Sequence, residues 1–209
     1  MLMRLKSLFG RVCVPDALDM EEHYRTDAEK TADLVVHVVG LTLAAVGGVV
    51  LAVLAAIYSG VGAVVSTAVY ALCLIAMLVA STVYNQTRPC AARPVLRRLD
   101  EAAIFLMIAG SYTPFTTQRF EGGWAVGFTL LVWALGIGGA LAKLWAPRLS
   151  DAIWSAVYVA FGWLAVFALK PMLDTVHPAA LILLVIGGLI YTAGVFVFIS
   201  PKVKFRRAI

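Results

Sequence analysis

The sequence predicts an all-α integral membrane protein, and three observations carry that prediction. First, 62% of its 209 residues are hydrophobic and 14% are charged, with a mean hydropathy of +0.91, which is far from the composition of soluble proteins. Second, the apolar residues form runs of about 20, the length at which a helix crosses a bilayer. Third, the Lys and Arg residues lie between these runs. We therefore expect a cytoplasmic segment at 1–30 and a transmembrane helical domain at 31–209.

Six transmembrane helices are expected from the apolar runs. They extend from about Thr31 to Ile57, Gly62 to Tyr84, Asp100 to Phe115, Trp124 to Leu144, Ala152 to Leu169, and Pro178 to Ser200. Short turns are expected at Ser59-Gly60, Gly122-Gly123 and Lys170-Pro171. Pro114 is expected to bend or end the short third span.

The distribution of positive charge predicts the orientation. Only Arg119 and Lys170 fall on one side of the predicted topology, so 15 of the 17 Lys and Arg residues fall on the other. Because loops rich in Lys and Arg stay in the cytoplasm, both termini are predicted to be cytoplasmic. The net charge of +5 does not indicate nucleic acid as a partner, since these residues lie in loops beside the membrane.

Small residues spaced four apart predict close helix packing. One row lies in the first span and a longer one in the fourth: Gly40, Ala44 and Gly48, then Gly123, Gly127, Ala134, Gly138 and Ala142. Such rows let helix backbones approach closely in lipid. We expect packing within the bundle; a dimer face, and hence a helix–helix oligomer, is the alternative.

Polar residues gather near the cytoplasmic ends of the first three spans. They are Asp33, His37, Ser81, Asn85 and Asp100. Ionisable groups at membrane depth are costly, so such a group indicates a functional site. The alternative is that the aspartates stabilise helix starts or pair with interfacial arginines. Asp100 and Glu101 are adjacent and point about 100° apart, so we expect one of them to face the interior.

The residues alone do not favour a metal centre. Catalytic zinc takes three strong ligands and keeps one open position. His37 is the one histidine within a predicted span, because His23 precedes the first span and His177 lies in a loop on the opposite side.

Four motifs resemble the bacterial hemolysin III proteins of the progestin and adipoQ receptor family, within a wider superfamily of membrane hydrolases. They are Glu29-x3-Asp33-x3-His37-x2-Gly40, STVYN at 81–85, LDEAAI at 99–104 and AGSYTPF at 109–115. The resemblance implies a seven-helix bundle with its N-terminus inside and a zinc site near the cytoplasmic side. It also implies that Ser81 and Asp100 are catalytic.

The chain departs from the family pattern at the metal. Asn85 stands where the family has a histidine ligand at the end of helix two, and no H-x3-H motif supplies the other two. Glu101 stands where many members have histidine, and Asp33 where many have asparagine. The sequence stops at 205–209, where a seventh helix is expected to begin. We therefore expect no metal or other cofactor in this chain.

Three functions stay open from the sequence. The first is a hydrolase-like protein acting on a lipid amide or similar bond. The second is a pore-forming, cytolytic protein, and the third is a receptor module that binds lipid without catalysis. In all three cases the expected partner is membrane lipid. The expected location of the protein is the bacterial inner membrane.

Overall fold

The computed structural model describes residues 27–145 and 149–199, which are helical apart from short connections, with no strand in these ranges. The helices are α1 Asp27–Tyr58, α2 Val61–Gln86, α3 Arg93–Gln118, α4 Gly122–Trp145, α5 Asp151–Gly162, a 3-10 segment Trp163–Ala168, α6 Leu169–Thr175 and α7 Pro178–Ile199. The predicted segment 1–30 lies outside the described residues up to position 26. The structure thus confirms the all-α class.

Within residues 27–145 and 149–199, five helices are long and apolar enough to cross a membrane. They are Asp27–Tyr58, Val61–Gln86, Gly122–Trp145, Asp151–Thr175 and Pro178–Val197. The sixth, α3, carries charges in its first turns, yet its 26 residues span about 39 Å at 1.5 Å each. The expected six-helix, multi-pass membrane architecture is therefore confirmed.

The third helix is longer than predicted. It begins at Arg93 rather than Asp100 and continues through Pro114 to Gln118. Of the two expectations for Pro114, that it ends the span is wrong, and that it bends the span stays a prediction. Hydroxyl groups support the turns around the proline: Thr113 donates to the carbonyl of Ala109 at 3.1 Å, and Thr117 to that of Thr113 at 2.7 Å. Neighbouring Ser and Thr side chains are a common reason why membrane helices tolerate proline.

The predicted turn at Lys170-Pro171 is also wrong, because both residues lie within α6. Pro171 has no N–H, so the carbonyl four residues before it lacks its α-helical donor. The helix tightens into the 3-10 segment just before this point, a common local solution. The connection to α7 instead falls at Val176 and His177.

The turn predicted at Ser59-Gly60 is confirmed, whereas the turn predicted at Gly122-Gly123 is misplaced, because both of these glycines lie within α4. Gly60 has a φ of +83°, and both it and Ser59 donate backbone N–H groups to the carbonyl of Ala55. Gly122 has a φ of +54° and is the first residue of α4. The turn between α3 and α4 therefore lies just before it, at Arg119–Glu121. Gly60 and Gly122 both adopt left-handed backbone conformations that other residues rarely take.

Helix α3 lies at the centre and packs against α2 on one side and α4 on the other. Its buried residues include Phe105 and Ala109. A Cβ atom on Gly110 would come within 2.7 Å of Cys73 in α2, and one on Gly139 of α4 within 2.4 Å of the Phe105 ring. Glycines thus permit both close approaches.

The two rows of small residues have different surroundings. The row in α1 packs on α2, since Ala44 is buried and a Cβ on Gly48 would lie 2.9 Å from Ala71. The row in α4 faces outward, with no atom within 4 Å of a Cβ on Gly123, Gly127 or Gly138. The expectation of packing within the bundle is wrong for this row. Helix α4 is rich in small residues all round, so spacing does not identify its packed face, which is Phe128, Val132, Gly136 and Ala140.

Candidate functional site

The candidate site lies at one end of the bundle, which we call the basic end. It contains the start of α1, the connection between α2 and α3 at 87–92, the end of α4 and the start of α5. Connectivity brings these segments together, because α1 and α3 run away from this end and α2 returns to it. The opposite end contains the turns at Ser59-Gly60, Arg119–Glu121 and Val176-His177.

Helix α1 contributes a buried Asp–His pair. Asp33 and His37 are one helical turn apart and are 3% and 8% exposed. Nδ1 of His37 lies 2.9 Å from the backbone carbonyl oxygen of Asp33 and 3.3 Å from its Oδ2. Because a carbonyl oxygen only accepts hydrogen bonds, Nδ1 carries the proton and donates it to Asp33.

Helix α2 contributes a serine and a glutamine to this pair. Oγ of Ser81 lies 3.2 Å from Nε2 of His37. With Nδ1 protonated, Nε2 of the neutral ring accepts the Ser81 hydroxyl proton. One and a half turns further on, Nε2 of Gln86 donates to Oδ2 of Asp33 at 3.0 Å. The histidine is therefore held between a carboxylate and a hydroxyl.

Helix α3 completes the arrangement with Asp100, whose carboxyl group is a hydrogen-bond partner of the Ser81 hydroxyl. Because a hydroxyl has one proton, Ser81 donates either to His37 or to an ionised Asp100 at any one time. Asp33, His37, Ser81, Asp100 and Gln86 form what we call the serine cluster. The structure thus brings four of the five predicted site residues together. Asn85 is half-buried one turn beyond Ser81 and takes no part in these hydrogen bonds. Gln86 was missed by the sequence analysis, although its position in the last turn of an apolar span is an available signal.

A second cluster lies on the other side of α3, around Glu101. Its carboxylate accepts a hydrogen bond from Nε of Arg97 at 2.9 Å and forms an ion pair with Lys143 of α4. Arg97 also pairs with Asp151 at the start of α5, at 3.0 Å. The ammonium group of Lys143 lies 4.6 Å from the centre of the Trp154 ring, a cation–π distance. We call Arg97, Glu101, Lys143 and Asp151 the ion-pair cluster.

The expectation that only one of Asp100 and Glu101 faces the interior is wrong. Asp100 points toward α1 and α2, and Glu101 toward α4 and α5. The angle of about 100° between adjacent residues was right. Both side chains can face protein because α3 has neighbouring helices on both sides.

The residues present do not fit a zinc ion. In the described ranges 27–145 and 149–199, no three His, Cys, Asp or Glu side chains converge as a metal site requires. Both ring nitrogens of His37 already face protein partners, and the amide of Asn85 is a poor zinc ligand. The absence of zinc stays a prediction, which metal analysis of the purified chain would test.

The fold and site define a multi-pass, all-α membrane protein with a buried serine–histidine–aspartate cluster at one end. The chain belongs to the haemolysin-III related family, which it matches over residues 27–207. It is 31% identical over 186 residues to the hemolysin-3 homolog of Bacillus subtilis (strain 168), covering 88% of this chain and 86% of that protein. It is also 31% identical over 183 residues to hemolysin-3 of Bacillus cereus, covering 87% and 83%. No solved structure gives a significant match. The predicted hemolysin III membership is confirmed.

Proposed function

We propose that this chain hydrolyses an acyl bond, an amide or an ester, in a membrane lipid, with the serine cluster as its site. The observation that carries the proposal is the contact of 3.2 Å between the hydroxyl of Ser81 and the imidazole of His37. A hydroxyl beside a fixed imidazole is the arrangement that acid–base chemistry at a carbonyl requires. Ser81 and Asp100 are the residues proposed to act.

The burial of the cluster supports this proposal over a purely structural role. Asp33 is 3% exposed; its backbone carbonyl accepts a hydrogen bond from His37 of α1, and its carboxylate accepts one from Gln86 of α2. Ser81 is half-buried, so it is more accessible than Asp33 and His37. Buried groups around a more accessible hydroxyl are what an active site needs, because the supporting groups must be fixed while the reacting one meets substrate.

The position of the cluster indicates the class of substrate. Five helices are apolar enough to cross a bilayer, and the serine cluster lies near the end of three of the bundle's helices. A lipid in the leaflet around the bundle has its acyl carbonyl groups near the headgroups, close to the depth of a cluster that lies near the helix ends. We further propose that the basic end faces the cytoplasm, that both termini are there, and that the membrane is the bacterial inner membrane.

The name of the relatives raises cytolysis by pore formation as a second candidate. The structure gives it less support. Midway along α3, the side chains that pack between the helices are apolar and buried, as at Phe105, Ala109 and Val132. A water-filled pore needs polar groups or an open lumen along its length. Binding of a lipid without turnover is the third candidate.

The test uses the purified full chain in lipid nanodiscs with two probes, a long-chain N-acyl amide and a long-chain acyl ester of a fluorogenic leaving group. We expect release of the fluorophore by the wild type and at least a roughly 100-fold lower rate for Ser81→Ala. Parallel liposomes loaded with a dye measure leakage. Leakage without turnover would favour the pore, and saturable binding of the acyl probe without turnover would favour the receptor module.

A further inference from the structure

We infer that Ser81 is a covalent nucleophile, with His37 as its general base and Asp33 as the group that orients His37. This inference rests on the proposed acyl-bond hydrolysis and names its mechanism. It makes the reaction independent of a metal ion. The substrate class is a long-chain acyl amide or ester, and the intermediate is an acyl group on Oγ of Ser81.

The distances among these side chains fit the roles of nucleophile, general base and orienting group. A nucleophile must lie within about 2.6–3.2 Å of its base, and a third group must orient that base. The Oγ–Nε2 distance between Ser81 and His37 is 3.2 Å, and Nδ1 of His37 faces Asp33 through two oxygens at 2.9 and 3.3 Å. Gln86 in turn fixes Oδ2 of Asp33. Each group is therefore held by the next.

The contacts also settle which hydroxyl is involved. Thr82 is the next residue along α2, but its hydroxyl donates to the carbonyl of Leu78 at 2.6 Å. Ser111 likewise donates to the carbonyl of Ile108 at 2.7 Å. The hydroxyl of Ser81 has imidazole and carboxylate partners instead. Asp100 is a positioning residue in this scheme, because it contacts the nucleophile from a different helix than His37 does.

The reaction balances with the groups present and water. Oγ of Ser81 forms a bond to the carbonyl carbon of the substrate, while the hydroxyl proton passes to Nε2 of His37. The bond from that carbon to the leaving nitrogen or oxygen then breaks, and His37 returns the proton to the leaving group. Water, deprotonated by His37, then attacks the acyl carbon of the acyl–Ser81 ester. The bond between that carbon and Oγ breaks, His37 returns the proton to Oγ of Ser81, and the fatty acid leaves. No oxidant, reductant or metal enters these steps.

Asp33 differs from the carboxylate of an ordinary catalytic triad. Its backbone carbonyl makes the shorter contact to Nδ1, so it fixes the proton on that nitrogen even when the carboxylate is removed. In triads where the carboxylate alone sets the tautomer, an Asp→Asn change costs roughly 10⁴-fold. Here Asp33→Asn is expected to cost only about 10-fold, whereas His37→Gln, which removes the base, is expected to cost about 100-fold or more.

The experiment treats the purified full chain with a long-chain alkyl fluorophosphonate that carries a fluorophore. Attack by Oγ forms an oxygen–phosphorus bond and expels fluoride, and the proton goes to His37. We expect one label per chain, assigned to Ser81 by peptide mass spectrometry and lost in Ser81→Ala. Thr82→Ala is the matched control and should label at the wild-type rate. Size-exclusion chromatography and circular dichroism verify that each variant is folded.

The outcomes separate this inference from the proposed function. Labelling of Ser81 that falls in the order expected for His37→Gln and Asp33→Asn supports the inference. Turnover that persists in Ser81→Ala, or that is lost to a chelator and restored by a metal, overturns the inference and leaves acyl hydrolysis standing. Absence of both turnover and label overturns both.

Discussion

The two polar clusters at the basic end are centred on adjacent residues of α3, Asp100 and Glu101, but they contain different chemical groups. The serine cluster around Asp100 joins α1, α2 and α3 through a hydroxyl, an imidazole, an amide and two carboxylates. The ion-pair cluster around Glu101 joins α3, α4 and α5 through Arg97, Lys143 and Asp151. The first offers groups that exchange protons, whereas the second matches full charges of opposite sign. Under the proposed function, the serine cluster carries out the reaction and the ion-pair cluster stabilises the packing of the helices.

The sharpest test of this division compares Asp100→Asn with Glu101→Gln. Asp100→Asn keeps the shape of the side chain but removes the carboxylate beside Ser81, so we expect about 100-fold slower hydrolysis and little change in unfolding. The kcat should fall more than KM rises, since Asp100 positions the nucleophile. Glu101→Gln should show the reverse, with near-normal turnover and lower stability. Equal effects of both changes on both measurements would remove the proposed division.

The next effect in size is the cost of removing the anion from the ion-pair cluster. The side chain of Lys143 is 10% exposed and that of Glu101 is 20% exposed. Breaking a buried pair costs about 3–5 kcal/mol, because one charge is left without its partner. The partial exposure lowers this, so we expect Glu101→Ala to cost about 2–3 kcal/mol in detergent unfolding.

The matched control for that change is the double variant Glu101→Leu with Lys143→Met. Replacing both members of a buried pair by apolar groups is often neutral, so most of the lost stability should return. Glu121→Ala, at an exposed site at the opposite end, should stay within about 0.5 kcal/mol of the wild type. A double variant as unstable as the single one would contradict an ion-pair role for Glu101.

Helix packing gives a third test, confined to the seam between α3 and α4. Gly139→Ala puts a Cβ 2.4 Å from the Phe105 ring, whereas Gly138→Ala meets nothing within 4 Å. Overpacking a core costs about 1–3 kcal/mol, so Gly139→Ala should destabilise by that amount and Gly138→Ala should not. Because the serine cluster lies on the α2 side, the folded fraction of Gly139→Ala should still react with the fluorophosphonate probe.

The sequence predicted the helices and the residues of the serine cluster better than it predicted their neighbours. Apolar length and helical spacing decide where spans lie and which residues share a face, so Asp33 and His37 could be paired in advance. Which helices surround α3 depends on the whole bundle. For that reason the inward position of Glu101 and the outward row of Gly123 and Gly127 could not be read from spacing.

The positions of the prolines also show what could not be predicted from the sequence. Pro114 was expected to bend or end a helix and Lys170-Pro171 to form a turn, and in both places the chain continues as helix. In a membrane, a break in the backbone ladder is costly unless other groups satisfy it, and nearby hydroxyls or a local 3-10 turn do so. At Pro114 the hydroxyls belong to the sequence neighbours Thr113 and Thr117, whereas at Pro171 the chain tightens into the 3-10 segment just before the proline.

The smallest expected effect concerns the side chain from α3 that supports the 3-10 segment. Tyr112 lies three turns after Glu101 on the same face of α3. Its hydroxyl accepts the backbone N–H of Ala165 at 2.9 Å and donates to the carbonyl of Gly162 at 2.7 Å. Tyr112→Phe leaves a backbone donor without this partner, which costs about 1–2 kcal/mol. We expect that loss in the free energy of unfolding. Tyr58→Phe, exposed at the end of α1, is the neutral control.

Since Tyr112 lies on the α5 side of α3, labelling of Ser81 in Tyr112→Phe should stay within about twofold of wild type, in contrast to the roughly 100-fold loss expected for His37→Gln. A large loss of labelling in Tyr112→Phe would show that the two sides of α3 are coupled, and that the division between them does not hold.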